Sequence, residues 1–269
     1  NTKKIVEKIN YKTPEKYRPL KDYSISFKSG SIYKNKLYIT TLTEILIFSL
    51  PEYNIIDRIS LKIFNDLHHV IFHEKNLFIV VTGLDIVVKY SLQKNNIEKI
   101  YNCYPEIDTW DRFDKNTDYR KINTTKPHNS HPNHVSIFKN KLFITRYKQQ
   151  DVIIYSMEGK ILQHIKLNIG IPHDGLLFNN KFIYTTVNGR IIKVNSNDFS
   201  DINIFDLNKH EKKGRSLGWC RGYQELNSSN YVGFSRIRPT KFMENIKWLG
   251  NKITDKVKLK MPTRIIEYN

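Results

Sequence analysis

Cysteine is almost missing. The 269 residues hold two, Cys103 and Cys220, too few for a disulfide framework and not spaced as a zinc ribbon. A reduced, cytoplasmic setting is the simpler expectation. Long apolar runs are missing too. The most apolar stretch, Asn76–Tyr90, is broken by Asp85 and Lys89, and nothing reaches the length that spans a bilayer as a helix. Glycine is scarce for a β-rich chain, 11 in all, so Asn, Asp and Lys must carry many of the turns; Asn tolerates the left-handed backbone that turns need. No glycine-rich phosphate loop, nucleophile elbow or dinucleotide fingerprint is present. The absence of RNA- and DNA-binding motifs argues against a nucleic-acid partner.

Acid is the last shortage. Asp and Glu number 26 against 44 Lys and Arg, for a net charge of +18. Such an excess points to an anionic partner. The lysines are scattered through turns apart from Lys252–Lys260, a spread that general Lys, Ile and Asn enrichment also produces.

What the chain has is an internal repeat. Ser29–Leu50, His68–Leu92, Asn133–Met157 and His173–Asn195 each read as strand, tight Asn/Lys turn, strand, short polar turn, strand; a weaker copy starts at Arg221. Repeated four-stranded units are the signature of a β-propeller. The expected fold is all-β: five blades of four antiparallel strands in a single domain over 1–269. Thr263–Asn269 (TRIIEYN) matches the third strand of the fourth copy (GRIIKVN) and is read as the third strand of the fifth, with no fourth strand after it. Lys4–Tyr11 (KIVEKINY) matches the fourth strand of the first copy, so the N-terminal strand is expected to complete the C-terminal blade.

Two insertions interrupt the repeat, at about 105–132 and 239–262, the second with a short helix expected at Met243–Leu249. In a propeller the connections that carry them leave on one face, where the innermost strands also begin, so both read as lids over a single site on a rigid scaffold. Histidine recurs at the start of the innermost strand: His68 or His69, His134 and His173. Neutral imidazole is the commonest metal ligand. Three of them on symmetric blades suit a divalent transition metal (Fe, Zn, Cu, Mn or Ni) with open coordination positions. His68 and His69 alternate in direction, and His69 is the preferred inward residue; a bulge at Asp174–Gly175 would bring His173 into register. The fifth copy has Trp219-Cys220-Arg221 at this place. Arg221 is the expected anchor for a carboxylate, phosphate or sulfate, with Trp219, Trp110 and Arg112 as further substrate contacts. Asp174 is a candidate general base, or a hydrogen-bond partner that orients a metal-binding histidine.

In this layout the chain resembles β-propellers with a central active site, among them metal-dependent lyases, lactonases and oxygenases. The resemblance rests on the repeat and on His68, His69, His134 and His173. It implies a metal-dependent enzyme, a lyase, hydrolase or oxygenase, acting on a small polar, anionic substrate. The alternative is a non-catalytic module that binds an acidic sugar, a polyanion or a protein partner.

Overall fold

The computed structural model describes residues 8–21, 26–167, 170–210, 217–226, 229–235 and 263–268. The fold is that of a five-bladed β-propeller, built from five small antiparallel sheets. The first holds β1 (Gly30–Tyr33), β2 (Lys36–Thr40), β3 (Ile45–Ser49) and β4 (Ile55–Ile59). The second holds β5 (Leu67–His73), β6 (Asn76–Val81), β7 (Ile86–Ser91) and β8 (Asn96–Asn102). β9 (Pro132–Phe138), β10 (Lys141–Arg146), β11 (Asp151–Ser156) and β12 (Ile161–Lys166) make the third. The fourth is β13 (Leu176–Phe178), β14 (Lys181–Thr186), β15 (Arg190–Asn195) and β16 (Asn203–Asp206). The fifth shows β17 (Trp219–Leu226), β18 (Ser229–Ser235) and β19 (Arg264–Tyr268). In each, strands run in sequence order across the sheet.

The sequence folds this way for local reasons. The first hairpins of the second, third and fourth sheets turn on Glu74–Lys75, Lys139–Asn140 and Asn179–Asn180, all at positive φ. Two consecutive left-handed residues give the turn whose twist matches that of the strands. The second and third strands are nearly continuous apolar runs because both of their faces are covered: Leu77–Val81 and Ile86–Val88 are fully buried. The outer strands β4 and β16 are mostly exposed.

By internal contacts the chain groups into two compact units, Asn1–Val135 and Ser136–Asn269. The first is cored by Ile45, Leu67, Val70, Ile79, Ile86 and Val88. The second has a cluster around Phe143, Phe182 and Tyr184 and another around Cys220, Val232 and Phe234.

Each of the first three sheets also buries an acid beside the start of its third strand, Glu44, Asp85 and Asp151. Each acid meets an arginine: Arg58 at 3.0 Å, Arg112 at 2.7 Å and Arg146 at 2.6 Å. A buried carboxylate is tolerated only with such partners.

The strand expected from Lys4–Tyr11 lies partly outside the described residues, and its described end, Lys8–Tyr11, carries no strand. There the Tyr11 hydroxyl donates to both Glu44 oxygens, at 2.9 and 3.0 Å. The insertion at 239–262, with its expected helix at Met243–Leu249, lies outside the described residues. No helix among the described residues is long and apolar enough to cross a membrane.

Candidate functional site

Four innermost strands begin with one residue too many. In the first sheet Lys28 donates its N–H to the Thr40 carbonyl while Thr40 donates to Ser29, so two residues face one. In the second, Leu67 pairs with Val81 and His69 with Val80, leaving His68 extra. In the fourth, Pro172 pairs with Thr186 and Leu176 with Ile183, so residues 173–175 face only Tyr184 and Thr185. In the fifth, Cys220 pairs with Phe234 and Gly222 with Gly233, leaving Arg221 extra. An extra residue re-aims the side chains around it. The bulge expected at Asp174–Gly175 is thus present, and the same device recurs at places that no feature of the sequence announces.

In the first unit the bulge separates the two adjacent histidines. His69 is buried and stacks on His134, ring centroids 3.7 Å apart and planes 20° off parallel. Its Nδ1 accepts the Val135 N–H at 3.4 Å. Burial pushes His69 down to about 3, against backbone hydrogen bonds with Gly30 and Val135. Enclosure by protein, with His69 alongside, holds His134 well below the usual histidine range. Both rings are neutral at ordinary pH.

His68 turns elsewhere. Its Nδ1 donates to the Asp66 carbonyl at 2.8 Å, and its ring meets His131 edge-on, centroids 5.1 Å apart. Burial works to raise the Asp66 carboxyl, yet the pull of its neighbours His68, Lys28, His128 and Lys126 prevails and lowers it.

These residues do not fit a three-imidazole metal centre. The lone pairs of a ring lie in its plane, and two rings stacked face to face with centroids 3.7 Å apart do not aim those lone pairs at one nearby ion. His173, in the second unit, takes a hydrogen bond on Nε2 from Arg221 Nη1. Among the described residues no group of three His, Cys, Asp or Glu is arranged to hold a metal ion.

The insertion at 105–132 is a strap rather than an open lid. Its one helical turn, α1 (Thr109–Arg112), is capped by Asp108, which accepts the Trp110 N–H at 2.8 Å. Trp110 packs against the core of the first unit, and Arg112 is spent on Asp85. Both were expected to meet substrate; here they fasten the loop. Asn65 Nδ2 donates to the Tyr119 and Ile122 carbonyls at 2.9 and 2.8 Å. Asp85 holds the end of the strap, accepting the N–H groups of Asn129 (2.7 Å), Ser130 (3.1 Å) and His131 (2.7 Å). No sequence motif marks an anchor of this kind, but Asp85 left a sign: it is a lone acid in the most apolar stretch of the chain.

In the second unit Arg221 leaves the ladder at its bulge, donates to His173 Nε2 and to Ser235 Oγ (3.3 Å), and lies 4.6 Å over the Trp219 ring. Asp174, next to His173, accepts the Thr185 N–H at 2.6 Å. Burial raises its carboxyl to about 6, against the hydrogen bonds from Thr185. Burial, with Asp174 nearby, also raises the Cys220 thiol and the Tyr184 hydroxyl, so both stay protonated. Cys220 is a core residue rather than a ligand.

No family model matches the chain, and no curated protein matches it. Solved structures do. A streptogramin B lyase aligns at TM-score 0.54 and 12% identity, over 94% of this chain and 71% of that one. Virginiamycin B lyase from Staphylococcus aureus, in a catalytically inactive form with one histidine replaced by alanine and with quinupristin, aligns at 0.53 and 14%, over 90% and 69%. The Pan2 WD40 domain of Neurospora crassa aligns at 0.52 and 8%, over 79% of this chain but 56% of that one. At such identities the likeness concerns the fold, and it joins the five sheets in establishing that fold as a β-propeller.

Proposed function

We propose that the chain is an enzyme acting on a small anionic substrate, with Arg221 holding the anion and Asp174 moving a proton. The observation that carries this reading is the bulge in β17. It removes a guanidinium from the strand ladder and sets it against His173, Ser235 and Trp219, which are aromatic and polar neighbours. A planar guanidinium matches a carboxylate, sulfate or phosphate, and an incoming anion would exchange with its contacts to His173 and Ser235. Asp174 adds the second requirement. A carboxyl raised to about 6 exchanges its proton near neutral pH, where a group used for acid–base catalysis works best. Lyases are among the proteins of similar fold, so a lyase reaction is the first class to test, with Asp174 as the group that takes the proton. A metal ion has no step in this reading, because the imidazoles do not fit one.

The test is calorimetric titration of the whole chain with phosphate, sulfate and small carboxylates, beside Arg221→Met and Asp174→Asn. Replacing the cation by a neutral side chain of similar length should weaken anion binding roughly 10- to 100-fold, the worth of a charge-assisted hydrogen bond. Asp174→Asn should bind as the parent does. An Arg221→Met variant that binds the panel unchanged sinks the reading. Anion binding without turnover of any substrate offered would leave a binding module in its place.

A further inference from the structure

We propose that His128, hydrogen-bonded to His131, forms an acid-operated latch on the strap: it stays fastened while His128 is neutral and comes free when His128 takes up a proton. The inference concerns the first unit and stands apart from the reading of Arg221.

It follows from counting donors. Thr125 Oγ donates its one hydrogen to the Gly83 carbonyl. Its oxygen therefore accepts from His128 Nε2, 3.3 Å away, which places the His128 proton on Nε2. His128 Nδ1 is then a lone pair, and it faces His131 Nδ1 at 2.7 Å. That distance needs a hydrogen between the two nitrogens, so His131 carries its proton on Nδ1 and donates. The sequence Gly83, Thr125, His128, His131 is one directed chain, with both tautomers fixed by it.

Acid acts on this chain at His128. A proton taken up there can go only to Nδ1, where it would meet the His131 N–H head-on. The surrounding charges bear on this step. Asp85 and Asp66 favour protonation of His128, Lys126 and Arg112 oppose it, and burial opposes it most, so His128 titrates below the ordinary histidine range. His131 has the His68 ring against it and gives its backbone N–H to Asp85; Lys28 lies across Asp66 at 3.8 Å. A histidine lowered in the closed form stabilises closure above its unfolded value and loses that contribution as pH falls below it. The strap runs straight into β9, so its release also frees the chain that leads to His134.

The experiment is amide hydrogen exchange on the whole chain from about pH 7.5 down to about pH 5, spanning the unperturbed histidine range. The reporters are the Asn129, Ser130 and His131 N–H groups bound to Asp85, with Val87 and Val88 of β7 as references for global unfolding. After correction for intrinsic rates, protection of the reporters should fall about tenfold or more over that range while the references hold. His128→Asn, which keeps an acceptor near the Nδ1 position and cannot titrate, should hold the reporters throughout. Nitrogen-detected NMR should find the His128 proton on Nε2 at the upper pH, a measurement that needs no variant. Reporter protection that ignores pH, equal loss in His128→Asn, or a His128 proton found on Nδ1 would each overturn the latch.

Discussion

At the scale of the residue, the stacked pair His69–His134 sets a pH dependence. His69 has a folded-state value of about 3 against 6.5 for the free group. Its neutral form is favoured by folding, so the unfolded chain binds more protons below about 6.5 and stability falls as pH drops. At pH 5 the loss from His69 alone comes to about 2 kcal/mol relative to neutral pH. Urea unfolding of the parent and of His69→Phe at both pH values checks this: the variant should lose less stability on acidification by about that amount. Equal losses would mean that His69 is hydrated in solution.

A second residue with a defined effect is Gly218, just before Trp219. Its φ is +87°, and a Cβ there would come within 2.6 Å of the Ser235 carbonyl oxygen. Gly218→Ala should therefore destabilise the start of β17 by about 1–3 kcal/mol, the usual cost of strained backbone. The loss should appear in thermal unfolding together with weaker anion binding, because Arg221 takes its direction from that strand. An alanine variant with unchanged melting and unchanged binding would contradict the geometry.

At the scale of the element, the strap is the test case. Asp85, fully buried itself, accepts three consecutive backbone N–H groups and the half-buried Arg112 guanidinium. Removing it with Asp85→Ala leaves that guanidinium and three amides without their acceptor, and should cost about 3–5 kcal/mol. Arg112→Met strands the carboxylate but leaves it the three amides, so it should cost less. Comparing the two by denaturant unfolding checks the order; a milder Asp85→Ala would mean the amides find other partners.

The elements also show which features were legible. The strand repeat was, because the second and third strands are apolar on both faces and the turns between strands are short and polar. The bulge at residues 173–175 was, because Asp174–Gly175 upset the alignment of the copies. The bulges at His68 and Arg221 were not: an extra residue in a strand leaves no mark on composition. Trp110 and Arg112 were ambiguous for a related reason: an aromatic and a cation in a long insertion look alike whether they face a substrate or their own core, and only tertiary structure shows the contact of Arg112 with Asp85.

At the scale of the whole molecule, the net charge of +18 is a standing self-repulsion. Screening shortens to about 3 Å at 1 M salt, so the melting temperature should rise with added sodium chloride. A fall would mean that specific ion pairs such as Lys89–Glu98 and Arg190–Asp206 outweigh the general repulsion.

By itself the sequence determined the fold class, the five repeated sheets and the places where chemistry-bearing residues begin the innermost strands. It could do so because strand periodicity and turn chemistry are local, written in consecutive residues. Tertiary structure decided the rest: that His69 stacks on His134 while His68 turns to His131, that Arg221 meets His173, and that Asp85 ties down the strap. Those outcomes depend on one extra backbone residue per strand and on which buried donor finds which acceptor. Such pairings join residues far apart in the chain, and their energy exists only once water has been excluded.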